Sequence, residues 1–413
     1  MLITLFHIIK RLRVIVLLML LCCCHLASNA QYFDLKGSGK RTTIPFRMIR
    51  DMIIIKLDIN NKGPFNFILD TGVGLMLITD PKLVDSINIA SKRTLKISGI
   101  GEGDAFEAYI TSSLNVQIPG LVSYDVAAAI LKTDHFGLSN YAGIPIHGLL
   151  GYEFFNNLAV KIDFSDSTLS VSKSKNLKVF RRGYKIPISI EDRKPYISAK
   201  VGFADGTKAD NKLVLDLGAG HALSLENTVE KHGLPEKFIA ANLGVGLTGP
   251  VNGFLGRIKE LDLGKFKMKN VITSFPEGDQ FKKLGVRRDG NLGIGILKRF
   301  NVIIDYPDSA VYLKEGPNFK TPFEHDMSGL EYYGAGKDFD RIIISRVEPG
   351  SPGDLIGLER DDEILAINLK PVVKMTLEQI DGIFKSQPDR SLLLEIYHDG
   401  KKDNVILTLK RRI

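Results

Sequence analysis

The chain contains no tryptophan, and its only three cysteines, Cys22, Cys23 and Cys24, stand together near the N-terminus. Everything beyond them must hold together by core burial without disulfides, and a zinc site would have few soft ligands to draw on. The eight histidines are scattered, and the sequence holds no H-E-x-x-H, G-x-S-x-G or Walker pattern. Charge of one sign is also lacking. The formal net charge of +8 is spread along the chain. Its densest groups, Lys282-Lys283 with Arg287-Arg288 and Lys410-Arg411-Arg412, are short and carry no interleaved aromatic residues, which argues against a nucleic-acid partner. Gly244-Val245-Gly246-Leu247-Thr248-Gly249 fits G-x-G-x-x-G, but Pro250 and more glycine follow it where a nucleotide site needs a helix. No metal or organic cofactor is implied.

Long apolar runs are missing too. The run Val14 to Leu21 falls short of the ~20 residues that a spanning helix needs. It follows Lys10, Arg11 and Arg13 and precedes the small residues Ser28-Asn29-Ala30, the layout of a secretory signal peptide over residues 1–30. The expectation is an exported protein, periplasmic or secreted. Association with a membrane would come only through an uncleaved leader or a lipid on Cys24. What the sequence has in quantity is glycine, 39 in 413 residues, with 44% apolar residues; this composition favours a turn-rich, mostly β fold of more than one domain.

The informative feature is an internal repeat. "GLLGYEFFNNLAVKIDFSDS" (Gly148–Ser167) aligns without gaps with "GNLGIGILKRFNVIIDYPDS" (Gly290–Ser309), with Gly151/Gly293, Asp163/Asp305 and Asp166/Asp308 among the identities. Upstream, "FILDTGVGLMLIT" has its counterpart in "LVLDLGAGHALSL", so Asp70 and Asp216 occupy matching places. Each ends an apolar, β-rich run (Phe65–Leu69, Leu213–Leu215) and stands two residues before a glycine, at the tip of a strand–turn–strand. A duplicated lobe would bring two such tips together about a pseudo-two-fold axis. Two adjacent carboxylates share one proton, so one can take a proton from water while the other donates to a carbonyl. A lone Asp-x-Gly is ordinarily a turn cap; the matched pair with matched downstream segments is what points to chemistry.

These motifs resemble the aspartic peptidases, particularly the retropepsin-like group, fused here as two lobes in the manner of pepsins. The resemblance spans about residues 45–315. It implies a bilobal, mostly β fold with lobe 1 at 31–178 and lobe 2 at 179–316. It also implies catalytic Asp70 and Asp216, supporting loop residues Thr71, Gly72 and Gly218, a short helix at "GYEFFNNL", and polypeptide substrates. Glycine-rich flaps would close the cleft. Gly99, Gly101 and Gly103 mark the first, and Gly244–Gly256 holds the second. Two departures stand out. Leu217 takes the place of the usual hydroxyl residue, leaving Thr71 alone to bond across the lobes, and Val73 stands where a small residue is commoner. A second reading therefore stays open, a peptide-binding scaffold whose peptidase fold has lost turnover. His147 and His221 would lie near the cleft, as satisfied polar residues more than as ligands.

Beyond Tyr312 the composition changes. "KEGPNFKTPFEHDMSG" (Lys314–Gly329) reads as a linker, placed at 317–329, before a small α+β unit at 330–413. "VEPGSPGDLIGLERDDEILAIN" (Val347–Asn368) resembles bacterial PDZ domains attached to periplasmic proteases. That resemblance implies binding of an extended peptide or C-terminus as an added strand beside a helix, with Tyr333, Gly334 and Gly336 as a carboxylate-binding loop. The alternative is a docking module with no peptide ligand of its own.

Overall fold

The computed structural model describes residues 32–89, 91–97, 99, 101, 103, 105–278, 281 and 285–413; the expected leader lies outside them. The chain is mostly β. Each lobe is built on the same interleaved arrangement. In lobe 1 the strand Gly148–Leu150 runs parallel to the end of Lys62–Leu69, with Leu150 opposite Leu69, and antiparallel to Met76–Ile78. In lobe 2 Gly290–Leu292 runs parallel to the end of Lys208–Leu215 and antiparallel to Leu223–Leu225. Buried on both faces, these strand ends have no polar alternation: Phe67, Ile68, Leu69 and Leu213, Val214, Leu215 are all core residues.

The lobes join through six consecutive strands of a larger sheet, three from each lobe, in the order Tyr184–Glu191, Ala310–Glu315, Phe300–Asp305, Ala159–Asp163, Thr168–Ser172, Arg41–Pro45. Its two central strands are the repeated segments themselves. Lys161 faces Ile303, its own repeat equivalent, so the pseudo-two-fold axis passes between them. A continuous apolar core runs through both lobes, from Phe33 to Phe323.

Equivalent hairpin tips then tie each lobe to the other. Arg50-Asp51 and Asp192-Arg193 are both two-residue turns with positive φ, the geometry whose twist suits a tight hairpin. Asp51 pairs with Lys298 of lobe 2 at 2.6 Å. Arg193 reaches lobe 1 in return, its guanidinium 5.8 Å from the Tyr152 ring centroid.

The C-terminal unit has its own core and the strand order Leu330–Ala335, Arg341–Val347, Glu363–Ile367, Ser391–His398, Lys401–Thr408. Its helix Leu377–Phe384 starts with a capping box in which the Thr376 hydroxyl accepts from Gln379 N and the Gln379 side chain accepts from Thr376 N. The segment read as a polar linker is pinned down. Phe319 packs on Phe300 and Phe266, and Arg299 lies over the Phe323 ring at 3.6 Å while donating to the carbonyls of Asn318, Thr321 and Pro322. The sequence reading weighed its Pro, Gly and polar residues and missed the phenylalanines spaced among them.

The carboxylate-loop expectation for Tyr333, Gly334 and Gly336 is corrected. Tyr333 and Gly334 lie within a paired strand, and Gly336 opens its hairpin turn. A glycine-rich turn and a ligand loop look alike in sequence. The outer edge of that strand is already engaged: Arg50 Nη1 donates to the Tyr332 carbonyl at 3.1 Å, and Asn140 Nδ2 to the Gly334 carbonyl at 2.9 Å. Arg50 also grips both oxygens of Asp381 on the neighbouring helix at 3.0 Å, and the Tyr332 hydroxyl donates to Asp381 as well. The neighbouring carboxylate and tyrosines hold the Arg50 guanidinium above its ordinary range against the opposing effect of burial. Lobe 2 adds a contact from Asn242 Nδ2 to Glu331 at 3.2 Å.

Removing one partner of a largely buried charge pair costs about 3–5 kcal/mol. Arg50→Ala is therefore expected to release the C-terminal unit, speeding limited proteolysis across residues 314–329 at least roughly tenfold. Digestion at the wild-type rate would show that the pair does not hold the two units together.

Candidate active site

Both aspartates sit where the paired strands end, at the floor between the lobes. Asp70 N donates to Leu150 O and Asp216 N to Leu292 O, each at 2.9 Å, which fixes the two turns on their own lobes. The turns then enclose one another. A Cβ added to Gly72 would lie 2.6 Å from Asp216 Oδ2, and one added to Gly218 would lie 2.1 Å from Asp70 Cγ. Only glycine allows each carboxyl to press against the opposite turn. The two carboxyls are within hydrogen-bonding reach of each other. Gly151 and Gly293 pack behind the turns, close to the carbonyls of Asp70 and Val73 in one lobe and of Ala219 and His221 in the other.

Thr71 joins the two turns. Its hydroxyl donates to Leu215 O at 2.6 Å and accepts from Leu217 N at 2.9 Å. This is one half of the cross-lobe network, as expected from Leu217. The Leu217 side chain is fully buried in the apolar core. Its burial contributes about 1.5–3 kcal/mol, more than the roughly 0.5–1.5 kcal/mol of a lost hydroxyl bond, so the substitution does not loosen the turn.

Burial and the nearby Asp216 charge hold the Asp70 carboxyl well above the usual carboxylate range, against the pull of Gly72 N–H and, weakly, Lys194. Burial lowers the His221 imidazole below its ordinary range against the pull of Asp216, and its Nε2 has no hydrogen-bond partner among the described residues. His147 is satisfied through Nδ1, which accepts from Asn66 N at 3.1 Å. Behind the dyad, the Tyr306 ring stacks on Phe155 at 5.5 Å; burial and then the two aspartates push its hydroxyl well above the ordinary range.

The two glycine-rich hairpins meet at their tips, across the lobes. Gly99, Gly101 and Gly103 lie at the tip joining Arg93–Ile97 to Phe106–Ile118, and Leu247-Thr248 turns Phe238–Gly246 into Gly249–Leu263. The Thr248 hydroxyl hydrogen-bonds the carbonyls of Gly99 and Gly101 at 3.2 and 3.1 Å, and Gly103 N donates to Thr248 O at 2.7 Å. Leu247 packs into an apolar cluster of lobe 1 with Ile97 and Phe106. The dinucleotide-like G-x-G-x-x-G is thus the tip of a β-hairpin. Among the described residues, no group of three or more His, Cys, Asp or Glu is placed to hold a metal ion.

The sequence reading missed Thr248 and Asn291. Asn291 stands where lobe 1 has Leu149, and its Nδ2 donates to Asp216 Oδ2 at 2.9 Å. The gapless repeat alignment exposes this single polar substitution in an otherwise apolar strand.

Fold and site together define a two-lobed β protein with one facing pair of carboxyls and two glycine-rich hairpins joined at their tips. Residues 55–154 match the aspartyl protease family model, and residues 343–397 match the PDZ domain model. The chain therefore combines an aspartyl protease domain with a C-terminal PDZ domain. Among solved structures, an aspartic proteinase from Irpex lacteus is similar at 12% identity over 68% of this chain and 99% of that one, with a TM-score of 0.44. The photosystem II D1 C-terminal processing protease is similar at 18% identity over 21% of this chain and 23% of its own length, with a TM-score of 0.20. No curated protein sequence matches the chain.

Glu153, in the short helix behind the first turn, has its carboxyl pushed up to about 7 by burial, with Arg193 acting weakly the other way. A carboxyl raised on folding leaves stability untouched below its unfolded value near 4.5 and is a growing penalty as pH rises towards 7. Glu153→Gln is expected to remove that loss, adding up to roughly 3 kcal/mol at pH 8 and little at pH 4. Denaturant melts of both proteins at the two pH values check this; equal pH dependence would contradict it.

Proposed function

We propose that this protein is an aspartic endopeptidase. The observation that carries the reading is the mutual enclosure of Asp70 and Asp216, each against the glycine of the opposite turn, with the Asp70 carboxyl raised so that the pair keeps one proton. A water between the two carboxyls loses a proton to the ionised one as it attacks a peptide carbonyl, while the protonated one donates to the carbonyl oxygen. The joined flaps exclude bulk solvent and hold an extended chain. The leader-like residues 1–30 support action after export.

The PDZ domain acts in this reading as an internal dock. A peptide that adds as a strand beside a helix needs the free edge of Leu330–Ala335, and lobe 1 occupies two carbonyls of that edge through Arg50 and Asn140. The domain braces the hairpin tip of lobe 1 and, through Asn242, the base of the second flap.

Cleavage of a proteome-derived peptide library tests the reading. Asp70→Asn and Asp216→Asn are each expected to lower the rate by roughly 10²–10⁴-fold, with the fold retained. Because Asp70 is raised, activity is expected to persist above the pH at which an ordinary carboxyl has lost its proton, and to fall only as pH passes through the raised value. Peptide binding without turnover in the wild type would replace the peptidase with the scaffold reading.

A further inference from the structure

The two halves of the dyad are related by the repeat, yet their hydrogen-bond donors differ. Asp216 Oδ1 accepts from Gly218 N at 2.9 Å and Ala219 N at 3.1 Å, and its Oδ2 accepts from Asn291 Nδ2 at 2.9 Å. Among the described residues, Asp70 accepts from Gly72 N alone of main-chain and amide donors, at 2.7 Å, and the side chain that could mirror Asn291 is Leu149. Val73 N, the counterpart of Ala219 N, is turned to the Asp70 carbonyl at 3.4 Å. Hydrogen bonds to a carboxylate favour its ionised form, so the carboxyl with more donors gives up the proton first.

We propose that Asn291 is the positioning residue that breaks the symmetry of the dyad, holding Asp216 as the ionised base towards water and leaving the shared proton on Asp70, the acid towards the carbonyl. The amide orientation follows from chemistry, since only Nδ2 can donate to a carboxylate; Oδ1 has no partner among the described residues. The raised Asp70 carboxyl agrees with this placement. The other charged or titratable groups around the pair do not supply the bias. Lys194 lies towards Asp70 and favours ionising that carboxyl instead. Burial lowers the His221 imidazole beside Asp216 below its ordinary range, and Arg288 is paired in bidentate fashion with Glu226 at 2.7 and 2.8 Å. Tyr306 stays protonated.

The roles of acid and base rest on the peptidase reading, but the unequal proton affinity belongs to the free protein. The test therefore has two readouts on the full chain: titration of the aspartate carboxyls by carbon-13 NMR, assigned with Asp70→Asn and Asp216→Asn, and the pH profile of kcat/KM. Asn291→Leu, which installs the residue of lobe 1, is expected to raise the lower titration step of the pair by about one pH unit and to move the acid limb of the profile with it. Asn291→Ala, which also removes the donor, gives the same shift should the leucine not pack. Leu149→Asn, which offers Asp70 a matching donor, is expected to lower the upper step. Unchanged titration in both Asn291 variants would overturn the inference whatever the activity. Shifted titration in a protein that cuts no peptide would leave the inference standing and remove the peptidase reading instead.

Discussion

The structure depends on one close approach, that of two carboxyl groups each resting on the glycine of the opposite turn. No side chain fits between them, as the positions of added Cβ atoms at Gly72 and Gly218 show. A like-charged pair at that separation cannot be held by the turns alone. It is held because each turn is tied to its own lobe through Leu150 and Leu292, and because the lobes share a sheet centred on Lys161 and Ile303. Repulsion that would drive loosely joined loops apart is converted here into a raised proton affinity.

The same economy appears at the hairpin tips. One two-residue turn, Arg50-Asp51, sends its arginine to the C-terminal unit and its aspartate to lobe 2, so three regions of the chain converge on two adjacent side chains. Its equivalent in lobe 2, Asp192-Arg193, serves only the partner lobe. Duplication supplied two copies of a device, and the added domain recruited one of them. The dyad shows a comparable divergence, with asparagine in one copy of an apolar strand and leucine in the other.

Much of this was legible in the sequence because it was written twice. The repeat placed both aspartates, the glycines behind them and the short helices, and glycine clusters marked the two hairpins that meet at their tips. The α+β make-up of the C-terminal unit was legible from its apolar runs of strand length, while the capping box of Thr376 and Gln379 emerged only in the structure. Legibility failed where function comes from a contact between distant segments. Nothing local marks Arg50 as a ligand of Asp381, or Thr248 as the residue that fastens the flaps. The linker was misread because two anchors, Phe319 and Phe323, are outnumbered by turn-forming neighbours. The carboxylate loop was misread because a hairpin turn and a ligand nest share the same residues.

The joined flap tips carry a kinetic consequence. In the peptidase reading, the bonds donated by the Thr248 hydroxyl and Gly103 N, with Leu247 lodged in an apolar cluster, must break before a chain can thread to the carboxyls. At about 0.5–1.5 kcal/mol for each donor, the open gate is populated at roughly 1–15 per cent, and apparent affinity falls by that fraction. Slender, unstructured segments would be admitted far more readily than folded domains, and selectivity would begin at the doorway, ahead of any contact with the cleft.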